Sequence, residues 1–504
     1  MPTPSSDVLV IGGGVNGLAC AARLAGKGRK VLLLEAGPQV GGGAGEREIT
    51  PGFRAPALAH LTQGLDPRLV QALALERHGL SFHPALATTV LGGAAPLVVR
   101  GGQTDGPDAA AWKALHDKLS GFARVLGPFR QMTPPRLAGA NNWLALARQG
   151  LGIRGLGRDD FRELLRMILI NVHDVAEDEL TDTRLQGLLA FDATLGAWLG
   201  PRSPNSLILY LDRLARGADP LLPKGGMGAL AQALGRAAAA SGVTLRTGAA
   251  VERVLIAEDR AVGVRLAGGE DIRAGLVVSA INPRTTFQHL VGAAALDAGF
   301  YTATGHVRSR GGAAKLHLAL RGAPDFQGAD LRSRIVIAPS SQAVEAAFNP
   351  VKYGEVPEAP VMEVLVPSAH DPGMAPAGGH VLSAIVQYAP HPPKAGLEPA
   401  RSALLEAALR VLEAQSPGLR ALVSGAELLM PQDIEARFGL VGGNWHHGEL
   451  AVEQMLFNRP LFAAAQYATP LPGLWLAGAG SHPGGGIEGA AGWNAAGAIL
   501  EARA

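Results

Sequence analysis

Apolar and polar positions change period several times along the chain, beginning with a short apolar run near its start. Residues 7–11 (DVLVI) are typical of a buried parallel strand. Glycine-rich residues 12–17 follow, then an Ala/Leu-rich helical stretch over 18–25 and a second apolar run over 30–35 (KVLLLE). This order predicts a strand–helix–strand unit of about thirty residues.

The glycines of this unit have the spacing G-x-G-x-x-G of a dinucleotide-binding turn. Gly12 permits a tight turn, Gly14 lets the backbone approach a pyrophosphate, and Gly17 lets the helix pack closely on the strand. Glu35 ends the second predicted strand, where a carboxylate accepts hydrogen bonds from the adenosine ribose. We therefore predict a dinucleotide site, although this unit alone does not distinguish NAD from FAD.

Two further segments match the same glycine spacing in different contexts. Residues 150–155 (GLGIRG) follow a helical stretch rather than a strand, so we predict a loop there. Residues 484–489 (GGGIEG) follow a strand-like run at 474–477 and open an Ala-rich helix that ends near residue 502. No second strand or acid follows them, so they predict a helix N-terminus directed at a ligand, with a plain glycine-rich helix entry as the alternative.

The middle of the chain changes from helical to strand periodicity. Residues 76–219 read as amphipathic helices, and residues 244–266 alternate like a β-meander with a turn at 259–260. The four strand-like runs beyond them are residues 313–320, 334–338, 361–366 and 381–388. In the first run Lys315 and His317 lie on the face opposite the apolar residues, which predicts a half-covered, largely antiparallel sheet with helices packed over it.

Composition and charge exclude several classes of protein. The chain has 504 residues, with 45 basic and 43 acidic side chains interspersed, so we expect no nucleic-acid partner. Its single cysteine, Cys20, excludes an internal disulfide and a dithiol redox pair. The first residues lack the features of a secretory leader, and no uninterrupted apolar stretch reaches the ~18 to 20 residues of a membrane span. We expect a cytoplasmic protein.

Motifs for other chemistries are missing from the sequence. There is no HExxH, CxxC, GxSxG or GxxxxGK[ST] pattern. We therefore predict no metal site, and neither serine esterolysis nor NTP hydrolysis is supported.

Four segments together carry a family resemblance. They are residues 7–43, 223–230 (PKGGMGAL), 277–287 (VVSAINPRTTF) and 473–497 (GLWLAGAGSHPGGGIEGAAGWNAAG). The chain resembles the phytoene-desaturase-like branch of FAD-dependent oxidoreductases, and within it the group named pyridine nucleotide-disulfide oxidoreductase domain-containing protein 2. The lone cysteine argues against the dithiol chemistry in that group's name.

The resemblance implies an α/β fold, with a Rossmann-type FAD-binding domain built from discontinuous segments and an inserted α+β substrate domain. The FAD-binding segments are then residues 1–75, 220–300 and 435–504. The substrate domain comprises a helical part at 76–219 and a sheet part at 301–434. The implied FAD-binding residues are Gly12, Gly14, Gly17, Glu35, Gly42, Gly43, Val251, Gly480 and Ile487.

One position departs from the family pattern. Family members often carry an arginine after the paired glycines that follow the ribose acid, whereas residues 41–44 (GGGA) offer no such side chain. We expect backbone amides, or a more distant cation such as Arg47, to meet the phosphate charge.

The resemblance also places the loop of His482 beside the flavin. His482 is the predicted catalytic residue, as a hydrogen-bond partner or proton relay, and a histidine that fixes its loop through a backbone bond is the alternative. For Glu488 we favour capping of the last helix over a catalytic base. We interpret the adjacent His446 and His447 as a structural pair rather than catalytic groups.

These observations predict an FAD-dependent oxidoreductase that moves a hydride between the flavin and an apolar, lipid-like or polyene substrate. Desaturation, saturation and flavin-dependent isomerisation remain open, with oxygen or a quinone as external electron acceptor. Two alternatives are a flavoprotein with an interaction or assembly role and an NAD-dependent dehydrogenase. A polyene substrate would bring peripheral membrane contact through apolar helix residues between about Leu115 and Met167.

Overall fold

The computed structural model describes residues 6–136, 143–217 and 219–502. Residues 1–5, on which the expectation about a leader partly rests, lie outside the described residues. So do residues 137–142 and 218, which fall in the predicted helical part.

The strands of the described residues are numbered in chain order. They are β1 (Val8–Ile11), β2 (Val31–Leu34), β3 (Glu46–Thr50), β4 (Phe53–Pro56), β5 (Thr88–Leu91), β6 (Leu97–Arg100), β7 (Gln103–Thr104), β8 (Thr244–Arg246), β9 (Val251–Ala257), β10 (Arg260–Leu266), β11 (Asp271–Arg273), β12 (Val277–Ser279), β13 (Ala313–Leu320), β14 (Arg334–Ile337), β15 (Val361–Leu365), β16 (His380–Gln387), β17 (Val423–Leu429) and β18 (Leu474–Leu476).

The α-helices of the described residues are numbered in the same way. They are α1 (Val15–Ala25), α2 (Pro67–Leu73), α3 (Ala109–Arg130), α4 (Trp143–Arg154), α5 (Gly157–Leu169), α6 (Val172–Glu179), α7 (Thr183–Thr194), α8 (Leu207–Arg216), α9 (Gly226–Ala240), α10 (Ala298–Gly305), α11 (Ser341–Phe348), α12 (Leu397–Gln415), α13 (Leu419–Leu422), α14 (Pro431–Phe438) and α15 (Ala490–Glu501).

A five-stranded parallel sheet forms the centre of the first domain. Its strand order is β18-β12-β1-β2-β8, so strands from three separate parts of the chain lie side by side. All four residues of β1 are buried, as an apolar run between parallel neighbours requires. Helices α1, α9 and α15 share one apolar core with this sheet. A Cβ on Gly492 of α15 would lie 1.9 Å from the Asn16 carbonyl oxygen of α1, so the two helices pack closely. The fold is the predicted Rossmann-type domain built from discontinuous segments.

The predicted β-meander divides between two sheets. β8 joins the parallel sheet, while β9, β10 and β11 form a separate three-stranded antiparallel sheet. The turn between β9 and β10 contains Glu258 and Asp259, both with positive φ, close to the predicted turn.

An eight-stranded sheet forms the second domain, in the order β17-β13-β16-β15-β14-β5-β6-β7. Its pairs are antiparallel except for β14 with β5. β5, β6 and β7 come from the part of the chain predicted to be helical, so that part supplies three strands besides its helices. These strands are only two to four residues long, so their periodicity is not distinguishable beside the longer helical patterns.

The prediction of a half-covered sheet is wrong for β13, because all eight of its residues are buried. Leu316 and Leu318 pack with apolar residues of α12, and the opposite face lies against the hairpin of β3 and β4. Lys315 and His317 are therefore enclosed between the two domains rather than exposed to solvent. The alternation of polar and apolar residues in β13 therefore reflects one face in a polar interior, not one face exposed to solvent.

The predicted loop at residues 150–155 is helical through Arg154, because α4 continues to that residue. Gly150, Gly152 and Gly155 do not take positive φ, so nothing in their backbone requires a turn. A helix tolerates glycine at a cost of about 1 kcal/mol each relative to alanine. Residues 150–155 are therefore not a dinucleotide-binding turn, as predicted, but they belong mostly to a helix and not to a loop.

A helix that crosses a bilayer needs about 20 consecutive apolar residues. Within the described residues, none of the helices combines the length and the apolar character needed to cross a bilayer.

Candidate functional site

A cavity of about 850 Å³ lies between the parallel sheet and the eight-stranded sheet. Its wall includes residues of the glycine-rich turn after β1, the end of β2, the start of β9, helices α7 and α8, and the loop before α15. We call the part lined by Gly12, Gly14 and Glu35 the dinucleotide end. The part lined by Asp192, Arg213 and Glu363 is called the charged end.

The dinucleotide end is built mainly from backbone. Gly12 has φ of +99°, and a Cβ on Gly17 would lie 1.9 Å from the Gly12 carbonyl oxygen, so the turn requires glycine at both positions. A Cβ on Gly14 meets no atom within 4 Å, because this residue borders the open cavity. α1 begins directly after Gly14 without a side-chain cap, which leaves its first N–H groups available to an anion.

Glu35 lies at the end of β2 and also lines the cavity. Its carboxylate accepts 2.7 Å hydrogen bonds from the backbone N–H groups of Gly13 and Gly37. These bonds fix the carboxylate beside the glycine turn, where the predicted ribose contact requires it.

The glycines after β2 complete this end of the cavity. Gly42 and Gly43 line it, and a Cβ on Gly42 would lie 3.3 Å from the Gly14 Cα. Arg47 also lines the cavity, and its guanidinium forms an ion pair with Glu427. The predicted substitute cation is therefore near the site, with Nε still unpartnered among the described residues.

The remaining predicted cofactor residues fall into two groups. Val251, the first residue of β9, and Ile487 both line the cavity. Gly17 and Gly480 do not, because each is used for close packing: a Cβ on Gly480 would lie 2.4 Å from the Pro283 ring. Ala479 lines the cavity in place of Gly480.

His482 is buried and is not among the residues of the cavity wall. Its Nε2 lies 2.7 Å from the Phe129 carbonyl oxygen, to which it donates. Burial lowers its pKa to about 4, so the ring is neutral at physiological pH. This is the backbone bond that a loop-fixing histidine requires; the catalytic role of His482 stays a prediction.

Glu488 differs from its interpretation as a helix cap, and the interpretation of His446 and His447 as a structural pair stays a prediction. Glu488 precedes α15, whose N-cap is Gly489, and its carboxylate accepts from Arg130 at 2.8 and 2.9 Å instead of capping the helix. His446 and His447 both line the cavity. Each has an Nδ1 without a hydrogen-bond partner among the described residues.

The structure shows a buried network of charged side chains at the charged end that the sequence analysis does not predict. Lys315 Nζ lies 2.8 Å from His60 Nδ1, and His60 Nε2 lies 2.8 Å from Glu363 Oε1. Arg334 of β14 forms ion pairs with Glu363 and with Asp192 of α7. Lys315, His60, Arg334 and Glu363 are each about 1% exposed, which excludes a surface ion-pair role.

The pKa values within this network follow from burial and neighbouring charge. Burial lowers the pKa of Lys315 to about 7 and, with help from that ammonium, the pKa of His60 to about 4. Burial opposes ionisation of Glu363, but Arg334 and His60 hold its pKa well below the ordinary value. At neutral pH the network therefore contains ionised Glu363, neutral His60 and a partly protonated Lys315.

Sequence reasoning missed this network because its members come from segments far apart in the chain. The one available signal was the pair Lys315 and His317 on a strand otherwise apolar. A buried lysine with a lowered pKa beside a histidine and a carboxylate makes this network a candidate functional site.

The dinucleotide end satisfies the requirements of an FAD site. The open space at Gly14, the uncapped start of α1 and the fixed Glu35 carboxylate suit a pyrophosphate and a ribose. With the second domain closing the cavity, these features define a dinucleotide-dependent oxidoreductase of the two-domain type.

Comparison with known proteins gives the family. A sequence profile of the family described as flavin containing amine oxidoreductase matches residues 16–500, and the chain belongs to this family. It is an FAD-dependent oxidoreductase, and FAD is its cofactor.

Curated relatives cover nearly the whole chain. Pyridine nucleotide-disulfide oxidoreductase domain-containing protein 2 of Rattus norvegicus is 30% identical over 98% of this chain and 93% of its own length. A neurosporene-forming phytoene desaturase of Cereibacter sphaeroides is 26% identical over 97% of this chain and 94% of its own length. These relatives confirm the predicted phytoene-desaturase-like resemblance.

Solved structures support the fold. An oxidoreductase from Methanosarcina mazei aligns with a TM-score of 0.61 at 18% identity, over 98% of this chain and 99% of its own. Cyclohexylamine oxidase from Brevibacterium oxydans aligns with a TM-score of 0.59 at 17% identity, over 99% and 100% of the two chains.

Proposed function

We propose that the protein moves a hydride between FAD and an apolar, lipid-like or polyene substrate, most simply by dehydrogenating a carbon–carbon bond of that substrate. In that reaction one carbon gives up its hydrogen with both electrons and its neighbour loses a proton. Bound FAD supplies the hydride acceptor. Oxygen or a quinone is the proposed external acceptor of the two electrons.

The observation that carries the proposal is the apolar lining of the cavity beyond its dinucleotide end. The apolar side chains in this wall are Leu58, Leu61, Leu195, Leu209, Ile385, Phe438, Leu440, Trp445 and Leu450. They come from several elements of both domains, while the charged side chains of Asp192, Arg213 and Glu363 gather at the charged end. The apolar part of the wall suits an extended apolar chain and excludes water from it.

The chain also offers proton acceptors at the cavity wall. His60 has both ring nitrogens engaged, by Lys315 and Glu363, so it has no free nitrogen. His446 and His447 each keep an unpartnered Nδ1, and burial lowers the pKa of His447 to about 4. A neutral imidazole at either position can take the proton that leaves the substrate.

Anaerobic mixing tests the proposal. Purified FAD-loaded protein is mixed with long-chain polyenes or alkenes without oxygen, and the visible absorbance of the flavin is followed. Dehydrogenation bleaches the flavin and extends the conjugation of the substrate. Bleaching by aliphatic amines, with none by apolar hydrocarbons, would contradict the proposal, and product formation with an unchanged flavin spectrum would indicate isomerisation.

We also propose peripheral contact with a membrane surface, through helix α5. Phe161, Leu165 and Leu169 recur at every fourth residue of this helix and are 38%, 44% and 63% exposed. Exposed Arg158 and Arg162 lie on the same side, which suits anionic lipid headgroups. The residues that bound the predicted region, Leu115 and Met167, are themselves buried.

The position of α5 links this surface to the cavity. α5 packs on α8, and α8 contributes Leu209 and Arg213 to the cavity wall. Flotation with phosphatidylglycerol vesicles tests the contact, with Phe161→Glu/Leu165→Glu as the variant expected to lose binding. Tyr353→Glu, which changes an exposed aromatic residue elsewhere, is the control. Equal flotation of all three proteins would contradict the membrane proposal.

A further inference from the structure

Arg213 of α8 occupies an unusual electrostatic position at the charged end of the cavity. It lines the cavity and is only 8% exposed. With the Gln63 amide oriented so that its oxygen faces the guanidinium, Arg213 donates from Nε at 3.1 Å, Nη2 at 3.0 Å and Nη1 at 2.6 Å. A neutral carbonyl is thus its main partner.

The nearby carboxylates are already committed to another cation. Asp192 Oδ1 lies 3.6 Å from Arg213 Nη2, beyond hydrogen-bond distance, and both Asp192 oxygens accept from Arg334. Glu363 accepts from Arg334 and from His60. Arg213 therefore has no carboxylate at hydrogen-bond distance among the described residues.

Arg216 shows the contrasting arrangement on the same helix. It forms an ion pair with Asp212, lies 3.5 Å from a Glu488 oxygen, and donates to the Gly485 carbonyl at 3.0 Å. Both arginines line the cavity with similar burial, so burial does not explain the difference. Arg216 has a hydrogen-bonded carboxylate partner, whereas among the described residues Arg213 has only Asp192 at ion-pair distance, which it shares with Arg334.

Arg213 and Arg334 balance Asp192 and Glu363 in number, so a proton on Lys315 gives the charged end a net positive charge. Burial lowers the pKa of Arg213, yet a guanidinium stays protonated at any physiological pH. The Lys315 ammonium likewise has no carboxylate at ion-pair distance among the described residues. A buried cation without an anion is costly, and an anionic ligand relieves that cost.

We propose that Arg213 binds the carboxylate of an otherwise apolar substrate, so that the substrate class is long-chain aliphatic or polyene carboxylic acids. The inference rests on the proposed function, because it assumes that the apolar cavity holds the substrate chain. A planar carboxylate matches the guanidinium fork in a bidentate pair. Asp192 and Glu363 also line this end, but both accept from Arg334, so a cationic amine would meet Arg213 and carboxylates already paired with a protein cation. The cavity therefore selects against amines.

Ligands that share one chain and differ in the head group test the inference. Decanoate, decanol, decylamine and decyl phosphate are titrated into FAD-loaded protein, and binding is followed by calorimetry and by perturbation of the flavin spectrum. We expect decanoate to bind about tenfold or more tightly than decanol, and decylamine to bind weakest. Tighter binding of decyl phosphate than of decanoate would overturn the carboxylate assignment.

Two variants change the head-group interaction in opposite directions. Arg213→Gln is expected to weaken decanoate binding about tenfold or more while decanol binding stays unchanged. Asp192→Asn removes the negative charge that lies 3.6 Å from the Arg213 guanidinium and would repel a ligand carboxylate there, so decanoate should bind more tightly. General destabilisation cannot produce this pair of opposite shifts, and thermal melting with retained flavin confirms that each variant is folded.

Arg166→Gln is the matched control, because it removes an arginine whose ion pair with Glu163 lies at the surface of α5. It should leave the affinities for all four ligands unchanged. If Arg213→Gln weakens decanoate and decanol equally, Arg213 has a packing role and the inference is overturned.

The outcomes separate the two proposals. If decanol binds as tightly as decanoate, the apolar-substrate proposal stands and the carboxylate inference falls. If FAD-loaded protein binds none of the four ligands, both proposals fall. If decylamine binds most tightly, the carboxylate inference falls and amine oxidation gains.

Discussion

The two ends of the cavity are constructed in different ways. At the dinucleotide end, backbone N–H groups and the Glu35 carboxylate come from one continuous stretch of the chain, between β1 and β2. At the charged end, side chains of His60, Asp192, Arg213, Lys315, Arg334 and Glu363 come from separate elements. A backbone site depends on the space that glycine leaves open, whereas a side-chain network depends on every partner being present. The two ends should therefore respond to substitution in different ways.

The largest expected effect is the loss of FAD on substitution at the dinucleotide end. Gly14→Glu places bulk and negative charge where a pyrophosphate is bound, so we expect folded protein without flavin. Gly14→Ala is the matched control, since its Cβ meets no atom within 4 Å and its φ is already −69°. Flavin absorbance after purification measures both. Gly14→Glu protein that keeps its flavin absorbance would show that the dinucleotide end does not depend on the space at Gly14.

The next effect concerns fold stability at the charged end. Glu363→Gln leaves Arg334 and His60 without their shared anion in a fully buried site. We expect a loss of about 3 to 5 kcal/mol in the free energy of unfolding, measured by urea denaturation. Asp117→Asn breaks the exposed pair with Lys113 and should cost less than about 1 kcal/mol. Similar losses for both variants would show that the buried network contributes little.

The pH dependence of the free energy of unfolding tests the buried network through Lys315. The pKa of Lys315 is about 7 in the folded protein and 10.5 in the unfolded chain, so between these values the unfolded chain binds more protons. Stability from this lysine therefore rises with pH above about 7, and its burial penalty is fully present below that pH. From pH 7 to 9 the gain is at most about 2 to 3 kcal/mol.

Lys315→Met is expected to remove this rise while keeping a long side chain of similar shape. Urea denaturation of both proteins at pH 7 and 9 measures the difference. An equal pH dependence in the variant would show that the lysine does not lose its proton in the folded protein over this range.

The smallest expected effect returns to the dinucleotide end. Glu35→Gln keeps an acceptor for only one of the Gly13 and Gly37 N–H groups and removes the charge, so we expect FAD affinity to fall about tenfold with a stability loss of about 1 kcal/mol. Calorimetric titration of apoprotein with FAD measures the affinity, and wild-type protein taken through the same flavin removal is the control. If Glu35→Gln lost as much stability as Glu363→Gln, the two ends of the cavity would not differ in their contribution to fold stability.

Local elements were predicted well where their signal lies within a few neighbouring residues. The strands at 7–11 and 313–320 and the last helix are observed as β1, β13 and α15, with end points that agree within a residue or two. The sequence pattern does not predict β5, β6 and β7, and it predicts a loop at residues 150–155, where α4 continues to Arg154. In both cases the local pattern was weak, and packing against distant elements selected the conformation.

The sequence by itself determined the dinucleotide end, because a turn of fixed glycine spacing and the acid that follows it are set by residues close together in the chain. It also determined the family and therefore FAD as cofactor. Only the tertiary structure decided that Lys315 and His317 are interior. It also decided that Arg334 hydrogen-bonds both nearby carboxylates, while Arg213 has no hydrogen-bonded carboxylate among the described residues. Electrostatic pairing in a buried site depends on distances of a few ångströms between remote segments, and spacing along the chain does not encode them.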